Sequence, residues 1–307
     1  MRLRNATLFV ALAVAWGSAF TAIKAGLDYF PPVLFAAFRY DLASLLVLAY
    51  AAYATDRWRP RGRDEWLVVA IGGSLLIAAY HAFLFVGELG TTSAAAAIVV
   101  SLSPVLTTGF ARAFLPDERL TPLGIVGLLV GFVGVVVLTG PEQDALLDTR
   151  TISLALVFLA AASFALGSVL TRRIDDELPI ETMEAWSMVV GAVLLHAVSL
   201  ALSESVAEVK WSNEGVLALA YLVVVASAAG FLIYFDLLER LGPIEINLVS
   251  YAAPVVAAVT GYLFLEETPT ALAAVGFLLI LVGFVLLKRD ALREAYTRVR
   301  EPSERGG

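Results

Sequence analysis

Residues 89–138 read LGTTSAAAAIVVSLSPVLTTGFARAFLPDERLTPLGIVGLLVGFVGVVVL, and residues 241–287 read LGPIEINLVSYAAPVVAAVTGYLFLEETPTALAAVGFLLILVGFVLL. Set side by side, Leu89-Gly90 matches Leu241-Gly242, Pro104-Val105 matches Pro254-Val255 and Phe114-Leu115 matches Phe264-Leu265. Asp117 matches Glu267, Gly127 matches Gly276 and Gly134 matches Gly283, with the offset drifting only from 152 to 149 residues. The chain therefore carries an internal repeat.

The apolar runs inside this repeat recur along the whole chain. Candidate spans fall at 6–27, 31–54, 66–87, 91–111, 120–140, 151–171, 180–202, 216–238, 244–265 and 269–287. Each approaches the ~20 residues needed to cross a bilayer as a helix. Composition agrees, with 60% hydrophobic and only 16% charged residues against about 25% charged in soluble domains. The expected fold is an all-α membrane protein of ten transmembrane helices. No connecting segment is long enough for a separate soluble domain, so any site lies among the helices. Arg2 and Arg4 before an apolar run outline a signal peptide, but Gly, Ser and Thr between Trp16 and Thr21 continue the stretch as a packed helix.

Seventeen of the 21 basic residues fall on the face that holds both termini, three (Lys24, Arg150 and Lys210) on the other, and Arg39 inside a span. The excess of Lys and Arg on cytoplasmic loops places both termini in the cytoplasm and the protein in the plasma membrane. Residues 289–307 form a basic cytoplasmic tail. No cysteine occurs, which removes disulfides and thiolate chemistry.

Residues 1–145 and 146–288 each hold five spans. An odd number obliges the second unit to enter the membrane from the opposite side, so the repeats are inverted. Inverted repeats let two near-equivalent units exchange conformations around one midplane site. Pro104 and Pro254 lie roughly 16 to 20 Å into their spans, and each disrupts the bond to the carbonyl four residues earlier, at Val100 and Ser250. Such carbonyls need protein or cavity water in hydrocarbon; a packing kink is the plain alternative.

Helical spacing gathers polar and aromatic groups nearby. Ser101 and Pro104 share a stripe of the fourth span, and Asn247, Ser250, Tyr251 and Pro254 share one of the ninth. Tyr80 and His81 come from the third, Phe231 and Tyr234 from the eighth, and Trp16 and Thr21 from the first. Such a site suits a small amphipathic or zwitterionic solute better than a polyanion. Ionisable residues inside spans are functional candidates: Lys24, Arg39, His81 and Glu88 are read as gating or coupling groups. Arg39 is placed to meet Glu88 as a latch. His81 is either a proton carrier or a hydrogen-bonded core histidine, and His196, alone on an apolar helix, is structural.

Trp16-Gly17-Ser18-Ala19-Phe20, Phe38-Arg39-Tyr40, and the repeated Leu-Gly, mid-helix Pro and Phe-Leu with a following acid resemble the EamA-type branch of the drug/metabolite transporter superfamily. The resemblance covers essentially the whole chain. It implies ten helices in inverted five-helix repeats, a central cavity lined largely by helices 1, 3, 4, 6, 8 and 9, and export or exchange of amino acids or other small metabolites. Ser187, the nearest equivalent of Arg39, gives that arginine no symmetric partner.

The reading is a secondary transporter acting by alternating access, whose partners are a small-molecule substrate and the lipid bilayer, with no nucleic acid and no cofactor. No phosphate-binding Gly-x-x-x-x-Gly-Lys-Ser/Thr loop occurs. A channel or scaffold is the alternative. An intramembrane enzyme is less favoured, since two isolated histidines and no His-Glu-x-x-His motif give no convergent catalytic set and Glu266-Glu267 lies at an outer helix end without a nearby histidine; a retinal protein would need a Schiff-base lysine in a late helix, and this chain offers none.

Overall fold

The computed structural model describes residues 2–115, 121–139, 148–174, 177–241, 246 and 248–289. Among them no strand occurs, and ten helical spans follow in order: α1 (Arg2–Gly26), α2 (Pro32–Ala54), α3 (Arg63–Glu88), α4 (Ser93–Phe114), α5 (Pro122–Thr139), α6 (Thr149–Arg172), α7 (Ile180–Ala201), α8 (Asn213–Leu241), α9 (Val249–Leu265) and α10 (Ala271–Leu287). Seven have the length and hydropathy of full membrane crossings, and α5, α9 and α10 are shorter apolar helices. Asp117, Gly242, Glu245, Asn247 and the tail from residue 290 lie outside the described residues.

Short polar side chains set where the helices begin. Thr121 accepts from the Gly124 amide at 3.0 Å and Thr270 from the Ala273 amide at 3.1 Å. These two caps, repeat equivalents, start α5 and α10. Thr92 caps α4, Asp148 caps α6 and Ser212 caps α8; each satisfies an amide that the first turn leaves unpaired. Pro32 opens α2, and the Glu204 carboxylate beyond the end of α7 accepts from the Val33 and Leu34 amides at 3.1 and 2.7 Å. That anion sits at the positive end of the helix dipole.

The packing repeats in pairs. Helix α1 lies on α9 as α4 lies on α6, α1 meets α8 as α6 meets α3, α2 lies on α7, and α5 lies on α10. This is the pattern of two five-helix units related by inversion. The α5–α10 contact carries the relation to single residues. A Cβ on Gly127 would stand 2.5 Å from the Gly283 carbonyl oxygen, and one on Gly134 would stand 2.7 Å from that of Gly276. Gly127 is the repeat equivalent of Gly276, and Gly134 of Gly283, so the two crossings exchange into each other. Without a hydrophobic drive between helices in lipid, such small-residue contacts supply the van der Waals attraction that holds them. The outward faces of the same helices carry Leu129, Val133, Leu278 and Val282, all exposed.

Two departures from regular helix also repeat. Within α3 the segment Gly72–Ala79 is π-helical, and within α8 the segment Tyr221–Ala229 is. The starts differ by 149 residues, the offset of the late repeat matches. Helix α4 has a different break: at Ser101 and Leu102 the α-helical ladder gives way to a turn, with the Leu102 amide bonded to the Val99 carbonyl, and the helix resumes at Ser103 with Pro104 in the first turn. The expected kink at Pro104 is thus a helix restart, while Pro254 sits inside a continuous α9.

Substituting Gly134→Val should lower stability by about 1–3 kcal/mol through overpacking, read as thermal unfolding in detergent. Val133→Ala, one residue away on an exposed face, should change it by about 0.5 kcal/mol or less.

Candidate functional site

The π-helical segments matter because an i→i+5 ladder leaves backbone carbonyls open to other donors. Each is met by a side chain from the other repeat. Trp16 on α1 donates its indole N–H to the Ala226 carbonyl of α8 at 3.1 Å, and Ser163 on α6 donates its hydroxyl to the Leu75 carbonyl of α3 at 2.8 Å. Helices α1 and α6 are repeat equivalents, as are α3 and α8, so the two bonds form a pair across the pseudo-symmetry. Leu75 lies roughly 18 Å along α3 and Trp16 roughly 21 Å along α1, at 1.5 Å per residue. Both bonds are near mid-depth.

Around this level the arrangement loses its symmetry. Arg39 of α2 is buried and donates from Nε to the Ser227 hydroxyl of α8 at 3.1 Å. Its guanidinium carbon stands 5.2 Å from the centre of the Tyr40 ring. Among the described residues its terminal nitrogens make no hydrogen bond, so the planar donor fork is available to a ligand. Tyr40 donates its hydroxyl to Nε2 of His81 at 2.7 Å, and His81 donates from Nδ1 to the Ile77 carbonyl at 2.8 Å. The carbonyl can only accept, which puts the imidazole proton on Nδ1 and leaves Nε2 to receive the phenol. Tyr80 packs edge-on against His81 at 4.5 Å between ring centres and reaches Phe164 of α6 at 5.5 Å.

Trp16, Phe231 and Tyr234 form an aromatic group between α1 and α8, with ring centres 5.5 to 6.4 Å apart. Glu184, in the second turn of α7, lies within electrostatic range of both Tyr40 and Tyr234, groups from the two repeats. The sequence signal for Glu184 was an acid a few residues inside a span, masked by its resemblance to a helix-start acid such as Glu181.

The other expected residues are dispersed. Ser101 turns its hydroxyl back to the Ile98 carbonyl at 2.6 Å, which satisfies the break in α4. Tyr251 packs its ring on Phe284 of α10 at 4.5 Å, and its hydroxyl is buried without a partner among the described residues. It therefore faces α10 rather than the aromatic group. Pro104 and Ser250 are partly exposed and Pro254 is buried. Asn247, expected on the same stripe, is outside the described residues.

Towards the face opposite the termini, Thr21 meets Thr260 of α9 at 2.6 Å. Lys24 donates its ammonium to the carbonyls of Glu88 and Leu89 at 2.7 and 3.1 Å. Glu88 is fully buried, and neither carboxyl oxygen has a hydrogen-bond partner among the described residues. The expected Arg39–Glu88 latch is not formed, because Arg39 reaches α8 instead. His196 is not alone: its Nε2 lies 2.8 Å from Asp41 Oδ2 across the α2–α7 contact. Hydropathy assigned these two to different spans and held no information about their pairing.

Tyr40→Phe leaves Nε2 of His81 without its donor and should lower stability by about 1–3 kcal/mol. Thermal unfolding in detergent checks this, with Tyr262→Phe on an exposed face expected to be neutral.

Comparison with known proteins gives a consistent set of likenesses. The family model of EamA-like transporters matches residues 4–140 and again residues 151–289. A chloroplastic WAT1-related protein of Arabidopsis thaliana is 28% identical over 289 residues, covering 92% of this chain and 68% of that one. The uncharacterized inner membrane transporter YedA of Escherichia coli K12 is 30% identical over 253 residues, covering 82% and 79%. The uncharacterized transporter YvbV of Bacillus subtilis is 26% identical over 300 residues, covering 97% and 96%. A protein of known crystal structure superimposes with a TM-score of 0.66 at 24% identity, over 96% of this chain and 99% of that one, a likeness of fold.

Proposed function

We propose, from the premise that this chain belongs to the EamA-like transporter family, that it is a secondary transporter of a small zwitterionic or amphipathic metabolite, working by alternating access as an exporter or exchanger. It is a multi-pass membrane protein; the plasma membrane, with both termini cytoplasmic, is the location that its basic residues favour.

The observation that carries this reading is the pair of side-chain bonds onto the π-helical carbonyls. Trp16 to Ala226 and Ser163 to Leu75 join opposite repeats near mid-depth. In a pair of inverted units, the same interactions can be remade with the roles of the two repeats exchanged, which is the physical basis of switching access around a fixed site.

The chemistry at that level suggests what is carried. Ser227 holds Nε of Arg39, so the rest of the guanidinium is oriented to take a carboxylate in a two-pronged bond. Glu184, within electrostatic range of Tyr40 and Tyr234, offers a countercharge to an ammonium. Trp16, Phe231 and Tyr234 supply flat apolar surface for a side chain. Burial along α4 favours a form closed towards the face opposite the termini: Ser93–Val99 are all buried, whereas Thr107–Phe110 are partly exposed.

Counterflow in proteoliposomes with a mixed pool of labelled amino acids and small metabolites, read by mass spectrometry, tests the function. Selective accumulation without ATP is expected, with affinity weakened about tenfold or more in Arg39→Gln, as for loss of a charged hydrogen bond. Flux that requires ATP, or single-channel currents far above transporter turnover, would overturn the reading.

A further inference from the structure

Glu88 is the last residue of α3 and is 0% exposed, with both carboxyl oxygens buried and unpartnered among the described residues. An ionised carboxylate in that condition forfeits its hydration and receives no hydrogen bond in return, a cost that proteins avoid by pairing or by neutralising the group. The cation beside it does not pair with it. Lys24 spends its ammonium on the backbone carbonyls of Glu88 and Leu89, the unpaired carbonyls at the C-terminal end of α3. This contact ties the end of α1 to the end of α3. A second tie lies next to it: Glu267, in the turn after α9, accepts from the Ser93 amide at 3.0 Å and from its hydroxyl at 2.5 Å.

We propose that Glu88 is a proton-binding site that locks the closed end of the transporter, the end opposite the termini. With the proton bound, the neutral acid tolerates burial and Lys24 is left to the α3 carbonyls, which holds α1 against α3. When the proton leaves to the aqueous side, the new carboxylate takes the Lys24 ammonium. The α3 carbonyls lose their donor, the α1–α3 contact passes from the helix end to a flexible side-chain ion pair, and that charged pair draws water into the closed end and loosens it. One proton is released for each opening, and no other covalent bond is made or broken. This inference rests on the alternating-access reading and supplies its coupling group.

The charged and titratable groups facing Glu88 fit this role. Lys24 on α1 and Arg39 on α2 act on it with one sign and Glu267 with the other. Glu267 is already engaged with Ser93 on α4, and Arg39 with Ser227. From its own helix come Tyr80 and His81, the latter satisfied by Tyr40 and Ile77. Helix α6 packs on the flanking Gly87 and Gly90 through Ser153, Val157 and Thr149, and its Arg150 is engaged elsewhere, donating to the Leu138 carbonyl at 3.2 Å. Lys24 is the cation whose present partners are carbonyls of Glu88 and its neighbour, so it is the one placed to change hands.

The test needs no substrate, so its failure is distinct from a failure to find flux. Infrared difference spectra of the full chain in phosphatidylcholine vesicles, titrated from pH about 5 to about 9, report the carbonyl stretch of a protonated carboxylic acid without hydrogen bonds. That band should be present at the acidic end, fade as pH rises, and be absent from Glu88→Gln at every pH. Because the chain has no cysteine, Ala94→Cys gives a single thiol at a buried position beside Ser93. Its reaction with a membrane-impermeant maleimide is measured relative to the exposed reference Glu208→Cys.

Relative labelling should rise at least about tenfold as the band fades, and should stay low throughout in the Glu88→Gln background. Should Glu88→Gln not fold, Lys24→Gln serves instead and should move the loss of the band about one pH unit or more higher. Absence of the band at all pH values, its persistence in Glu88→Gln, or no movement in Lys24→Gln would each overturn the proposal. So would pH-dependent labelling in Glu88→Gln that matches the parent chain.

Discussion

Hydrocarbon offers no partner to a backbone amide or carbonyl, so a chain that crosses it must satisfy these groups from within. Regular helix does this automatically, and the ten spans obey it over most of their length. The few places where the ladder changes are therefore the places where distant residues must be recruited. The π segments of α3 and α8 draw in Ser163 and Trp16 from the opposite repeat, and Ile77 in the first of them receives His81. The break at Ser101 and Leu102 is served by short hydroxyl bonds from Ser101 and Ser103 to Ile98 and Val100. Backbone irregularity and cross-repeat contact thus share a cause, and both gather at mid-depth.

Symmetry between the repeats is kept where small residues touch and lost where long ones do. Helices α5 and α10 close on each other through glycines paired across the repeats, Gly127 with Gly283 and Gly134 with Gly276. At the α2–α8 and α3–α7 contacts the repeats differ. Arg39 spans the first to reach Ser227, whereas Ser187, its nearest equivalent, lies against Gly72 in the second. Gly73 meets Val190 and Gly191 meets Ile77 with no room for a Cβ at either position. One contact is propped by a long cation and the other drawn close by glycine. Two units with the same topology thereby present different walls to the interior, and an asymmetric ligand can be bound in one orientation.

Much of the fold was legible because bilayer thickness acts directly on sequence. The span read at 31–54 is α2 at Pro32–Ala54, and the span read at 180–202 is α7 at Ile180–Ala201. Less of the site was legible. Arg39 and His81 were singled out as charged or titratable groups in an apolar setting, and both are buried in a polar network. Their partners were not foreseen, since Ser227 is 188 residues and Tyr40 is 41 residues away in the chain. Glu184 escaped notice because acids near a helix start are commonplace. Tyr251 was grouped with the aromatic residues by helical spacing, but spacing gives a direction on one helix and not the neighbour that lies there.

By itself, then, the sequence determined the number of helices, their lengths, their inversion and the identities of the rare polar residues within them, because each of these follows from length, composition and periodicity along one chain. Tertiary structure alone decided which of those polar residues meet. It paired Arg39 with Ser227 instead of Glu88, gave Lys24 to backbone carbonyls, and left the Glu88 carboxyl buried with no partner. The reason is that hydrogen bonds are made between helices, at distances fixed by glycine contacts and π-helical turns that set rotation and depth, and no local pattern encodes the register of one helix on another.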